Sequence, residues 1–140
     1  MIQMKMILDL ITDKISDIIA MVINKIIAKY KIGFKNVELV NDTFDNFLPN
    51  HLQKVPQLDF VFFDGNHQKE ATINYFNWCV EKAGNKTVFV FDDIHWSGGM
   101  TEAWEVIKKH PKVTSTIDLF FVGIVFFNKD LSKEDFTLKF

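Results

Sequence analysis

Two short apolar runs, each ending abruptly in acid and histidine, constrain this chain most. The first is Leu58-Asp59-Phe60-Val61-Phe62-Phe63, followed by Asp64-Gly65-Asn66-His67; the second is Val88-Phe89-Val90-Phe91, followed by Asp92-Asp93-Ile94-His95-Trp96. A nearly unbroken run of this kind, rather than an alternation, is what a strand buried on both faces of a parallel sheet requires. Gln68 to Lys82, between them, is long enough for a crossover helix, so the pattern predicts a βαβ unit and an α/β fold. Both polar clusters then fall at the C-terminal ends of neighbouring strands, the edge where open α/β sheets bind ligands.

Before this unit, residues 1–32 contain no Gly or Pro, and Met4, Leu8, Ile11, Ile15, Ile19, Val22 and Ile26 recur at helical spacing. With Gly33 as a stop, residues 1–33 read as an N-terminal amphipathic helical segment. Val37–Val40 is a short strand candidate closed by the turn-forming Asn41-Asp42-Thr43, and Phe44 to Leu52 a short helix broken around Pro49. After the βαβ unit, Ser97-Gly98-Gly99 reads as a flexible loop and Thr101 to His110 as a helix stopped by Pro111. Val113–Asp118 and Phe120–Phe127 are too close for a crossover and should pair as an antiparallel hairpin. Asn128 to Phe140 reads as an irregular edge segment.

Composition removes several classes of function. A chain of 140 residues fits one domain with a real core, and a net charge of −2 with scattered lysines offers no field for nucleic acid. The longest uncharged apolar stretch in the N-terminal segment, Ile18 to Ile23, is too short to cross a membrane, and the start is neither basic enough nor followed by a cleavage site suited to a secretory signal. A single cysteine, Cys79, rules out an internal disulfide and a multi-Cys zinc site within one chain. It reads as a small buried side chain in a reducing, cytoplasmic compartment.

If the two strands are adjacent, Asp64, Asp92 and Asp93 come together. Like charges at contact distance raise one another's pKa, so such a cluster keeps a proton or holds a cation. All-oxygen donors suit Mg²⁺; the ordinary alternative is that these aspartates cap the turns and helices that follow. His67 lies three residues after Asp64 and could project over the same rim, where an imidazole can take a proton from a hydroxyl. His95 and Trp96 could wall an acceptor pocket, although a lone histidine is ordinarily just a satisfied polar side chain. Gly98-Gly99 lacks the Lys-Ser/Thr of a phosphate loop.

Taken in order, "LDFVFFDGNH", a crossover helix, "VFVFDDIHWSGGM", the helix "TEAWEVIKKHP" and "KVTSTIDLFFVGIVFF" resemble the C-terminal half of class I S-adenosylmethionine-dependent methyltransferases, especially small-molecule O-methyltransferases. The resemblance runs from about Ile19 to Phe127. It implies a Rossmann-like sheet ending in an antiparallel hairpin, with residues 34–140 as the C-terminal portion of that domain. It also implies S-adenosylmethionine as methyl donor, a small-molecule acceptor, and Asp64, Asp92 and Asp93 as ligands of a divalent cation such as Mg²⁺. The base falls on His67, where catechol-type enzymes carry lysine. Asn41, Asp42 and Thr43, with Asp64, correspond to the donor-binding positions, the turn meeting the adenine. The family's glycine-rich turn after the first strand and the acidic residue ending the second are not in this sequence. The expectation is therefore a truncated form of the fold. The alternative is a non-catalytic binding domain that forms homo-oligomers through an exposed sheet edge.

Overall fold

Strand β1 (Leu58–Phe63) lies parallel to strand β2 (Ala83–Asp92), with Phe60 opposite Val88 and Phe63 opposite Phe91. Between them runs helix α2 (Lys69–Val80), the expected crossover. The structure, a computed structural model, describes residue 40 and residues 42–139. The N-terminal helical segment, the candidate strand from Val37 and Asn41 of the turn lie outside the described residues, and Val40 belongs to no strand.

Helix α1 (Phe44–Leu52) precedes β1, and helix α3 (Gly98–Lys108) follows β2. Strands β3 (Ser115–Asp118) and β4 (Val122–Phe126) form the antiparallel hairpin, and β5 (Glu134–Thr137) pairs parallel with β3. The sheet order is β1-β2-β4-β3-β5, with β4 antiparallel to β2. Asn128 to Phe140, expected as an irregular edge segment, contributes an edge strand. Its side chains are all exposed, so no buried alternation announced it.

Two other expectations give way to capping and packing. Helix α1 continues through Pro49, because Phe44, Leu48 and Leu52 bury one face and outweigh the hydrogen bond that proline cannot donate. Gly98 and Gly99 form the first turn of α3 rather than a loop. Ser97 caps that turn, its hydroxyl accepting from the Met100 amide at 3.2 Å.

The sheet is covered on one face by all three described helices. Phe76 of α2 meets Phe89 and Phe91 edge-on or tilted, Trp104 of α3 lies 6.3 Å from Phe91, and Phe44 of α1 packs on Tyr75. The side chains of β2 and β4 that point this way, Phe89, Phe91 and Val125, are buried. Gly123 of β4 is where the Trp104 ring lies flush with the backbone; a Cβ there would stand 2.7 Å from it. Cys79 is buried in this layer, and burial pushes its thiol up to about 12.

On the other face Phe60 and Phe62 are about half exposed, beside the partly buried Val88, Val90, Ile124 and Phe126. The expectation that β1 is buried on both sides therefore fails: its burial follows one face only, because the described helices all lie on that face. Where β1 enters the sheet the ladder is irregular. The Thr87 hydroxyl accepts from the Gly84 amide and donates to the Leu58 carbonyl, replacing a main-chain link. Among the described residues no helix is long and apolar enough to cross a membrane.

Candidate functional site

The C-terminal ends of β1 and β2 each break into a left-handed residue, Asn66 (φ 46°) after β1 and Asp93 (φ 54°) after β2. Asn and Asp tolerate this conformation better than other side chains, and non-glycine residues held there cluster at functional sites. The turns bring their polar groups together. His67 Nδ1 lies 3.5 Å from the Asp93 carboxylate and Nε2 lies 3.7 Å from that of Asp64. Neither distance is a hydrogen bond, and Nε2 is buried without a hydrogen-bond partner. A buried polar atom left in that state needs an explanation, and an incoming ligand group is one.

Asp92 completes the rim. Its carboxyl is raised above the usual range, first by burial and then by the like charges of Asp93 and Asp64, while the Asp93 amide and His67 act in the opposite sense. A rim crowded with like charge can be relieved by a proton, a cation or a cationic substrate. Among the described residues, however, no group of three such side chains is gathered closely enough to hold a metal ion. The carboxylates of Asp64 and Asp93 flank an imidazole instead. The rim as it stands does not fit a divalent cation, and no step below passes through one.

A narrow cleft opens beside this rim, lined by Phe63, Gly65, His67, Tyr75, Phe91 and Asp92 among others. Its volume is about 10 Å³, room for one water and no more. A nucleoside would lie across the open rim rather than within this cleft. Asp42 and Thr43 stand exposed ahead of α1 and are engaged in capping it: the Thr43 hydroxyl accepts from the Asn46 amide, and Asp42 accepts from the Thr43 amide and the Asn46 side chain. A further chain of hydrogen bonds from the Asn66 amide group through the Tyr75 hydroxyl to Asp45 ties the β1 turn to α1.

His95 and Trp96 sit on the loop between β2 and α3. Trp96 is 72% exposed. His95 is already engaged: its Nε2 lies 2.8 Å from Asp118 at the end of β3, its Nδ1 3.1 Å from the Thr101 hydroxyl, and its ring 5.5 Å from that of Phe120. The sequence pointed to His95 but not to Asp118, its partner 23 residues on. No spacing rule links them; only the hairpin register does. Phe120 itself is held at φ 71°, its amide donating to Asp118.

Burial would raise the Asp118 carboxyl, but the His95 hydrogen bond and the Phe120 amide together hold it below the ordinary value. A carboxyl depressed in the folded state contributes stability that is present above its unfolded pKa and is lost as pH falls through the folded one. Thermal melts across the acid range should therefore show a loss of stability below about pH 4 that Asp118→Asn flattens. At neutral pH, Asp118→Ala should cost about 1.5–3 kcal/mol, the range for a hydrogen bond to a charged group.

A family model described as a methyltransferase domain matches residues 17–94. Among solved structures, the chain is similar to the O-methyltransferase from Bacillus cereus in complex with SAH, with a TM-score of 0.61 and 17% identity. That alignment covers 87% of this chain and 61% of the other. It is also similar to the SAH-bound methyltransferase of Podospora anserina, with a TM-score of 0.65 and 11% identity, covering 88% of this chain and 59% of the other. The chain thus spans about three fifths of the length of these structures. No curated protein matches it.

Proposed function

This chain belongs to the methyltransferase domain family, and we propose that its rim serves S-adenosylmethionine-dependent methyl transfer to a hydroxyl of a small molecule, with His67 as the base. The observation that carries this reading is the His67 ring, lying between Asp64 and Asp93 with Nε2 buried and unpartnered. S-adenosylmethionine, when bound, supplies a methyl group on a positively charged sulfur. His67 accepts the proton of the acceptor hydroxyl at Nε2, and the oxygen lone pair so freed forms the new bond to carbon as the sulfur–carbon bond breaks. Asp64 and Asp93 then face an imidazolium. The crowded acid rim also favours the cationic donor over its neutral product. Asp42 and Thr43 would meet the donor's adenine side, and His95 with Trp96 the acceptor.

Donor binding is the direct test. Calorimetry of the full chain with S-adenosylhomocysteine should give binding tighter than about 1 mM, or roughly 4 kcal/mol. An absence of heat, with no shift in melting temperature at saturating ligand, rejects retained methyl transfer and leaves the family fold in a non-catalytic role.

A further inference from the structure

Strand β1 forms one margin of the sheet, and no described strand pairs with its outer side. Leu58 donates its amide inward, to the Lys82 carbonyl. The register shifts just after Leu58, and beyond the shift Phe60 pairs with Val88 and Phe62 with Val90, whose main-chain groups face β1 because β4 takes those of Phe89 and Phe91. In a parallel pair the residue opposite such a group points away, so Asp59, Val61 and Phe63 turn their main-chain groups to β2 and Phe60 and Phe62 turn theirs outward. On the face that carries no described helix, Phe60 and Phe62 are 53% and 50% exposed. An apolar strand with free main-chain groups at a sheet margin is a template for pairing with another chain.

We propose that β1 is a homodimerisation strand, pairing antiparallel with β1 of a second copy about a two-fold axis through Val61. The strand itself sets the register. A two-fold axis normal to the sheet keeps every side chain on its own face, so opposed residues must both be even-numbered or both odd-numbered. Only outward-facing groups can exchange hydrogen bonds, and an axis through Val61 engages both of them, Phe60 bonding Phe62 of the second copy and Phe62 its Phe60, with Val61 facing its own copy between the two bonded pairs. Phe60 then opposes Phe62 of the second copy on the face without helices, an aromatic cross-strand pair. Centring the pair on Asp59 instead would set like charges against each other. With Phe60 and Phe62 each about half exposed, the phenylalanines of both copies offer roughly 400 Å². A stable interface needs about 1,000 Å². The main-chain bonds must therefore carry much of the association, which places it in the weak, concentration-dependent class. This inference is independent of methyl transfer.

The test is sedimentation of the full chain over a wide concentration range, which should show a monomer–dimer equilibrium. Phe62→Pro should shift it to monomer while keeping the fold, because the amide it removes faces away from β2. In a non-hydrogen-bonded antiparallel pair, opposed Cα atoms lie about 4.5 Å apart, within disulfide range. Val61→Cys should therefore link to itself under mild oxidation, while Glu134→Cys on the opposite margin should not, and buried Cys79 stays out of the reaction. Should Phe62→Pro lose its helical circular dichroism, the cross-linking pattern decides alone. Two results overturn the proposal: a wild-type chain that is monomeric at every concentration, as it would be with the margin covered from within, or a dimer in which Val61→Cys does not cross-link.

Discussion

His67→Ala should lower methyl transfer by about 10²–10⁴-fold, the range that a positioned general base supplies. The loss should fall on turnover and leave S-adenosylhomocysteine affinity unchanged, because the side chain acts on the acceptor proton rather than on the donor. His67→Gln should do no better, since it restores a polar group of similar reach without a proton acceptor of comparable basicity. The rising limb of the pH–rate profile, which a base of this kind produces, should disappear in both variants. Stability should change little, within about 0.5 kcal/mol, because neither imidazole contact is a hydrogen bond. Turnover that survives in His67→Ala, measured as S-adenosylhomocysteine formed with a hydroxylated aromatic acceptor, would move the base elsewhere on the rim.

The largest effect on folding is expected at Gly123. A methyl group there would stand 2.7 Å from Cη2 and Cζ3 of Trp104 and 3.0 Å from Ile94. Trp104 is buried to within 1% and Ile94 likewise, so neither has space to retreat into. Gly123→Ala should therefore cost about 3 kcal/mol, the upper part of the overpacking range. Against a total of about 5–15 kcal/mol, that is a large fraction of what holds a domain folded. The clash is with the six-membered ring of the indole, so Trp104→Phe should recover part of the loss. The double variant should be more stable than the sum of the single changes allows, a coupling that urea titration of all four proteins measures.

The strand pair and its crossover were legible because continuous apolar runs ending in acid have few other readings. The parallel register of Phe60 to Phe63 with Val88 to Phe91 bears this out. The hairpin of β3 and β4 was legible from the short gap between its strands. β5 was hidden because Glu134 to Thr137 has no buried face to impose a period. The start of α3 was hidden because two glycines argue for a loop, and only the Ser97 cap outweighs them. At the site, the aspartates and His67 could be placed from the sequence, but not the arrangement in which the imidazole takes the centre. The anchoring of His95 by Asp118 was out of reach altogether, because it depends on how the hairpin lies against the β2–α3 loop.

The two margins of the sheet are unlike. β5 exposes Glu134 and Asp135 in its first half and Phe136, at 48%, in its second, whereas β1 offers Phe60 and Phe62 together. A β1 pair about a two-fold axis occupies the same border in both copies and leaves none of it for a third. Such a contact uses itself up in a closed couple.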